Sequence, residues 1–150
     1  MTAGSKSLSA SLTAPKLPDS LFAVTDIDAE LSKVREAESD FIAADFSRLI
    51  CDSNDFSSLY FKNCLFKGNR FTACDFSKCT FIDCVFNGCD ISNCNFTESY
   101  FRACSFTSCK AVGAAFKDSY HKNVSFDGGS FELSDFQRSK LQSVLITDTD

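Results

Sequence analysis

Residues 71–96 read FTACDFSKCTFIDCVFNGCDISNCNF, and an apolar residue falls on every fifth position: Phe71, Phe76, Phe81, Phe86, Ile91 and Phe96. A cysteine stands two residues before each of the last five. An α-helical face repeats near 3.6 residues and a strand face at 2, so neither element accounts for a period of five. A fixed short period marks a repeat architecture in which each unit is one step of a coil and neighbouring coils bury one another. In such a chain function lies on the outward faces.

The register extends well beyond this stretch. From Ser39 the chain divides into blocks of five, SDFIA, ADFSR, LICDS, NDFSS, LYFKN, CLFKG, NRFTA, CDFSK and onward to VLITD at Asp148, giving 22 blocks without an insertion. With the central residue called i, Phe occupies sixteen of these 22 positions; the others hold Cys51, Ile91, Ala111, His121, Leu141 and Ile146. Every Phe except Phe22 is in register. Position i-2 takes Cys64, Cys74, Cys79, Cys84, Cys89, Cys94, Cys104 and Cys109, and otherwise mostly Ser, Ala, Leu or Val. Two positions of each block therefore face inward and three, mainly polar, face water.

At 150 residues the chain allows one domain. A net charge of -5 and a pI near 4.8 argue against direct nucleic-acid binding, which usually needs a basic surface. No apolar run approaches a membrane span and no signal-peptide core stands near the N-terminus, so a cytoplasmic chain is expected. Nine cysteines whose spacing follows the repeat read as reduced thiols, not a disulfide framework. Residues 1–25, rich in Ser, Ala and Thr and broken by Pro15 and Pro18, read as a flexible or extended leader. Thr25 is the expected N-cap of a short amphipathic helix over 26–38, with Ile27, Leu31 and Val34 on its apolar face, serving as a lid on the first coil.

Blocks such as ADFSR, CDFSK and CNFTE closely resemble the pentapeptide-repeat family, whose pattern is a small residue, Asp or Asn, Leu or Phe, Ser or Thr, then any residue. The resemblance covers 39–150 and implies an all-β solenoid: a right-handed, square parallel β-helix with one block per side and four per coil. The 22 blocks then make about five and a half coils. Residues 20 apart lie above one another, and the ring ladder through Phe61, Phe66, Phe71, Phe76, Phe81, Phe86, Phe96, Phe101 and Phe106 carries the fold.

Steps of twenty also write out the outer faces. One face carries Tyr60, Tyr100 and Tyr120, all the tyrosines of the chain, together with Lys62, Arg102, Lys122 and Lys140 against Asp40 and Asp83. It is aromatic and mildly basic, whereas the other three are neutral to mildly acidic with no unbroken acidic stripe. Two readings of the tyrosines stand: rim residues that cover backbone on a stacked β surface, or a contact patch for a protein or anionic ligand.

Chemistry is sparse. His121, the only histidine, stands where the ladder expects Phe and reads as a tolerated core residue. The C-x4-C run from Cys79 to Cys94 would spread over four sides of a coil around ring-filled space, which does not suit tetrahedral zinc. No phosphate loop, nucleophile elbow or paired carboxylates are present, so no catalytic, metal or cofactor site is expected. Ala111 leaves the ladder short of volume, and local looseness or a small cavity is expected around it. The function expected is that of a non-enzymatic binding or scaffold protein of unknown partner. The resemblance implies one alternative, because some members of the family bind type II topoisomerases as DNA mimics and modulate quinolone or toxin sensitivity. The segment SKLQSVLITDTD stays in register to the end, so a homodimer through an uncapped last coil is a further expectation.

Overall fold

The computed structural model describes residues 12–150; the part of the expected leader that falls on 1–11 lies outside the described residues. The chain winds as a right-handed, square, parallel β-solenoid of about six turns. Its elements are β1 (Phe22–Ala23), α1 (Ile27–Glu36), β2 (Phe41–Ile42), β3 (Ala44–Asp45), β4 (Ile50–Asp52), β5 (Tyr60–Lys62) and β6 (Leu65–Lys67), then β7 (Arg70–Thr72), β8 (Thr80–Ile82), β9 (Val85–Asn87), β10 (Tyr100–Thr107), β11 (Tyr120–Asp127) and β12 (Lys140–Thr147). All pairings are parallel, and Phe61 lies opposite Phe81, Phe66 opposite Phe86 and Phe101 opposite His121, a period of twenty.

This register puts like over like. Three inward columns are ring ladders. One runs Phe41, Phe61, Phe81, Phe101 with centroids 5.4, 4.8 and 4.8 Å apart. The second, from Phe46 to Phe126, has spacings of 4.8, 4.6, 4.5 and 4.9 Å. The third, from Phe56 to Phe136, has 4.5, 5.0, 4.9 and 4.7 Å. The nine ladder phenylalanines singled out in the sequence are all buried. The fourth column, Cys51, Phe71, Ile91, Ala111 and Phe131, is smaller. Beside the wholly buried Ala111, Phe131 leans inward to within 6.3 Å of Phe116 and 5.1 Å of Phe126. A half-open apolar pocket of about 290 Å³ lies not around Ala111 but in the last coil, among Phe126, Phe131, Phe136, Leu141 and Ile146.

Each corner needs a residue the sequence pattern alone does not announce. Position i+2 is left-handed in every block, from Ala43 at φ 54° to Asp148 at φ 48°. Asn, Asp and Gly adopt this conformation most readily, and Gly68, Gly88, Gly113 and Gly128 with Asn63, Asp83, Asn93, Asp118, Asn123 and Asp148 hold ten of the corners. The Asp or Asn at i-1 braces the turn from the other side. Its side-chain oxygen accepts the backbone N–H two residues on, as in Asp75 to Ser77 at 2.8 Å and Asn95 to Thr97 at 3.0 Å.

The cysteines at i-2 do more than fill space. All nine cysteines are free and buried, and the i-2 thiols donate to the carbonyl 23 residues earlier, one coil below. Cys79 donates to Phe56 at 2.9 Å and Cys94 to Phe71 at 3.1 Å, and where the position is serine, Ser99 makes the same bond to Phe76 at 2.7 Å. Burial pushes the Cys79 thiol up to about 12, so it keeps the proton it donates.

Phe22, the one phenylalanine out of register, pairs with Ala44, so β1 forms a partial turn below the first full coil. The interval from β1 to β3 is 22 residues because α1 replaces two sides of that turn. Leu31 and Val34 of α1 are buried on the core, and Arg35 donates to the carbonyls of Asp55 and Ser57 at 3.0 and 3.2 Å. The N-cap is Asp26, not the expected Thr25: its extended backbone lets the carboxylate accept from Ala29 N–H at 3.1 Å, and the helix starts at Ile27.

Phe96 packs between Phe76 and Phe116 in a middle coil with none of its surface exposed. Phe96→Ala is expected to cost about 3–5 kcal/mol, read from denaturant midpoints; a loss below about 1 kcal/mol would contradict the ladder's role.

Candidate functional site

The aromatic, mildly basic side of the coil is built from β2, β5 and β8 and the first halves of β10, β11 and β12. Two outward columns meet on it. At i-1 the order is Tyr60, Thr80, Tyr100, Tyr120, Lys140; at i+1 it is Ile42, Lys62, Ile82, Arg102, Lys122, Gln142. Tyr100 and Tyr120 are half-buried and their ring centroids lie 5.3 Å apart with a 49° tilt. The Tyr120 hydroxyl donates to Gln142, and the Lys140 ammonium sits 5.6 Å from the Tyr120 ring centroid. Thr80 separates Tyr60 from the pair, so the structure joins two tyrosines directly and leaves the third two coils away. Arg102 and Lys122 are adjacent across β10 and β11, while Lys62 is parted from them by Ile82.

Ile82 was not singled out from the sequence. It points outward at i+1, yet only 7% of its surface is exposed, against 50% for Ile42 in the same column. The corner residues beside it explain this. Asn63 donates its side-chain N–H to the carbonyl of Lys16 at 2.6 Å, and Lys16 donates its own backbone N–H to Asp83 at 3.2 Å. A leader segment thus crosses this side, with Leu12, Pro15 and Leu17 half-buried. The two prolines marked the segment as extended, but no single-sequence signal says where an extended segment lies.

His121 is wholly buried in the ring stack. Its imidazole lies on Phe101 at 4.7 Å and 7°, with Phe116, Phe126 and Phe136 around it. Ser119 donates to the Phe116 carbonyl at 2.6 Å, so the 3.0 Å contact between Ser119 Oγ and His121 Nε2 has the imidazole donating. Nδ1 then carries a lone pair, with no partner among the described residues. Burial pushes the imidazole down to about 3. With phenyl rings as neighbours and no carboxylate or nucleophile beside it, the ring fills a ladder step and presents no chemistry to solvent. No group of His, Cys, Asp and Glu side chains sized for a metal ion exists among the described residues, and none of their helices is long and apolar enough to cross a membrane.

A square coil whose i-1 acids and amides brace its own corners, with outward tyrosines and cations on one side, defines a repeat solenoid. The family model for the pentapeptide repeat region matches residues 79–150, so this part of the chain is a pentapeptide-repeat region, and the same five-residue register runs unbroken through the upstream coils. Among solved structures it is similar to the pentapeptide-repeat protein Rfr23 from the cyanobacterium Cyanothece 51142, at 8% identity and a TM-score of 0.74, covering 83% of this chain and 98% of that one. It is also similar to trypsin-treated QnrB1 carrying R167E, described as a plasmid-mediated fluoroquinolone resistance protein, at 21% identity and a TM-score of 0.61. That match covers 71% of this chain and 54% of the QnrB1 chain. No curated protein sequence matches.

The neutral His121 fixes the sign of a pH effect. Below its ordinary value of 6.5 the unfolded chain takes up a proton that the folded chain refuses until about 3, so this position costs stability as pH falls through that window. His121→Phe is therefore expected to stabilise the coil, and its advantage should widen by about 2–3 kcal/mol between pH 7 and pH 4.5. Denaturant midpoints at the two pH values measure it; a constant difference would contradict burial of the neutral ring.

Proposed function

We propose that this is a non-enzymatic binding or scaffold protein whose contact surface is the tyrosine-bearing side of the coil. The observation that supports the reading is the adjacent, tilted Tyr100–Tyr120 pair beside Arg102 and Lys122. Tyrosine and arginine are the types that dominate binding energy at protein interfaces. Here they stand on strands hydrogen-bonded on both flanks, so little conformational freedom is lost on docking. The excess of Lys and Arg over Asp on this side suits a partner with an acidic contact surface.

The alternative, a DNA mimic acting on DNA gyrase or topoisomerase IV, draws on the likeness to QnrB1. The acids of the coil speak for the first reading. Asp118 is held by Arg138 at 2.7 Å and Asp135 lies 3.4 Å from Lys117. Asp45, Asp55, Asp75, Asp90 and Asp135 turn back onto their own backbone amides. Along their columns these acids are interrupted by Leu65, Arg70, Lys110 and Ala115, so they line up in no continuous phosphate-like stripe.

A photocrosslinking side chain placed at Lys122 in living cells is expected to capture a discrete partner. The same group at Glu132, on the opposite side, should not, and Tyr100→Ala should abolish capture with an unchanged melting temperature. Equal capture from both sides would overturn the assignment. In a gyrase supercoiling assay with and without ciprofloxacin the protein is expected neither to inhibit nor to protect; protection would favour the mimic.

A further inference from the structure

We infer that the corner formed by Asn63 and Asp83 is a peptide-binding site, filled in this structure by the chain's own leader. It takes an extended peptide in which two apolar side chains flank a residue with free backbone N–H and C=O groups. The inference rests on the tyrosine-bearing side being the interaction surface, and it supplies the kind of partner.

Three observations converge. First, the clamp is made to main chain at both ends: Asn63 gives a side-chain N–H to the Lys16 carbonyl at 2.6 Å, and Asp83, one coil along, takes the Lys16 amide at 3.2 Å. Side chains stacked at the coil spacing thus read one residue's donor and acceptor together, which is how an extended strand is recognised without regard to its side chain. The Lys16 side chain itself stays exposed. Second, the residues on either side of Lys16, Pro15 and Leu17, are half-buried, and the coil beneath offers apolar surface where the repeat expects polar residues: Ile82 is 7% exposed and Ala103 6%. Third, the same left-handed corner column holds Ala43, Ala103 and Ser143 as well as Asn123. Asn63 and Asp83 suit the turn as Asn123 does, and in addition their side chains bond the segment that crosses them.

The leader enters this side as an appended segment of about six residues between Lys16 and the first paired strand at Phe22. Release of that segment frees Ile82 and the main-chain clamp while leaving β1 paired, so leader and partner peptide compete for one groove beside Tyr100.

The test uses the full chain carrying Leu17→Asp, which places a charge where a half-buried leucine sits and loosens the leader. A fluorescent peptide of sequence LTAPKLPDS, residues 12–20, is titrated by anisotropy. Saturable binding is expected to the Leu17→Asp chain, at least tenfold weaker binding to the wild-type chain, and loss on adding Asn63→Ala and Asp83→Ala. A peptide methylated on the Lys16 nitrogen should bind at least tenfold more weakly. Absence of binding to a folded Leu17→Asp chain, or binding indifferent to the two alanines or to the methyl group, overturns the site. Should Leu17→Asp fail to fold, amide hydrogen exchange at Lys16 decides: protection in the wild type that Asp83→Ala removes supports the clamp, and an unprotected amide refutes it. Tyr100→Ala leaves the clamp intact, so partner capture that survives this substitution fails the broader reading, whereas peptide binding that is absent or indifferent to Asn63→Ala and Asp83→Ala fails this one.

Discussion

Everything in this molecule depends on identical steps lying directly above one another. Parallel pairing at a period of twenty puts each ring over a ring, and offset stacking adds about 0.5–1.5 kcal/mol per pair to the burial each phenyl group already gains. The same condition suits phenylalanine, because a flat side chain repeats at the strand spacing without clash. It also explains why His121 is tolerated: a planar ring replaces a planar ring, 4.7 Å from Phe101, at the expense of an unpartnered Nδ1.

The stacking constraint reaches the polar atoms as well. Sharp corners every fifth residue need a left-handed backbone and would strand carbonyls inside the coil. The i-1 carboxylates and amides answer the first need by holding the turn, and the i-2 thiols and hydroxyls answer the second by donating downward to the coil below. Cysteine at these positions is thereby a small hydrophobe with a directed donor, a combination alanine lacks and serine provides with greater desolvation.

The fold was legible because its signal is translational. One inward residue in five survives the substitutions at Cys51, Ile91 and Ala111, since a register is read from all 22 blocks together. Local chemistry was less legible. Thr25 and Asp26 are both competent caps, and only the path of the chain into α1 selects Asp26. The faces could be written by counting, and Tyr100, Tyr120, Arg102 and Lys122 do stand together. The leader's position could not be counted, because Lys16 meets Asn63 and Asp83 across 47 and 67 residues with no periodicity linking them.

The square cross-section gives insertions and deletions a phase. Adding or removing one five-residue block keeps every inward residue inward, so the core survives, yet all later outward positions rotate by a quarter turn. Tyr120 would then leave the side that bears Tyr100, and their neighbouring cations would be dealt to another wall. Only changes of a whole coil preserve the surface. A lineage building on this fold can therefore alter its length cheaply in twenties, and any other change in length amounts to exchanging one outer surface for another on an intact core.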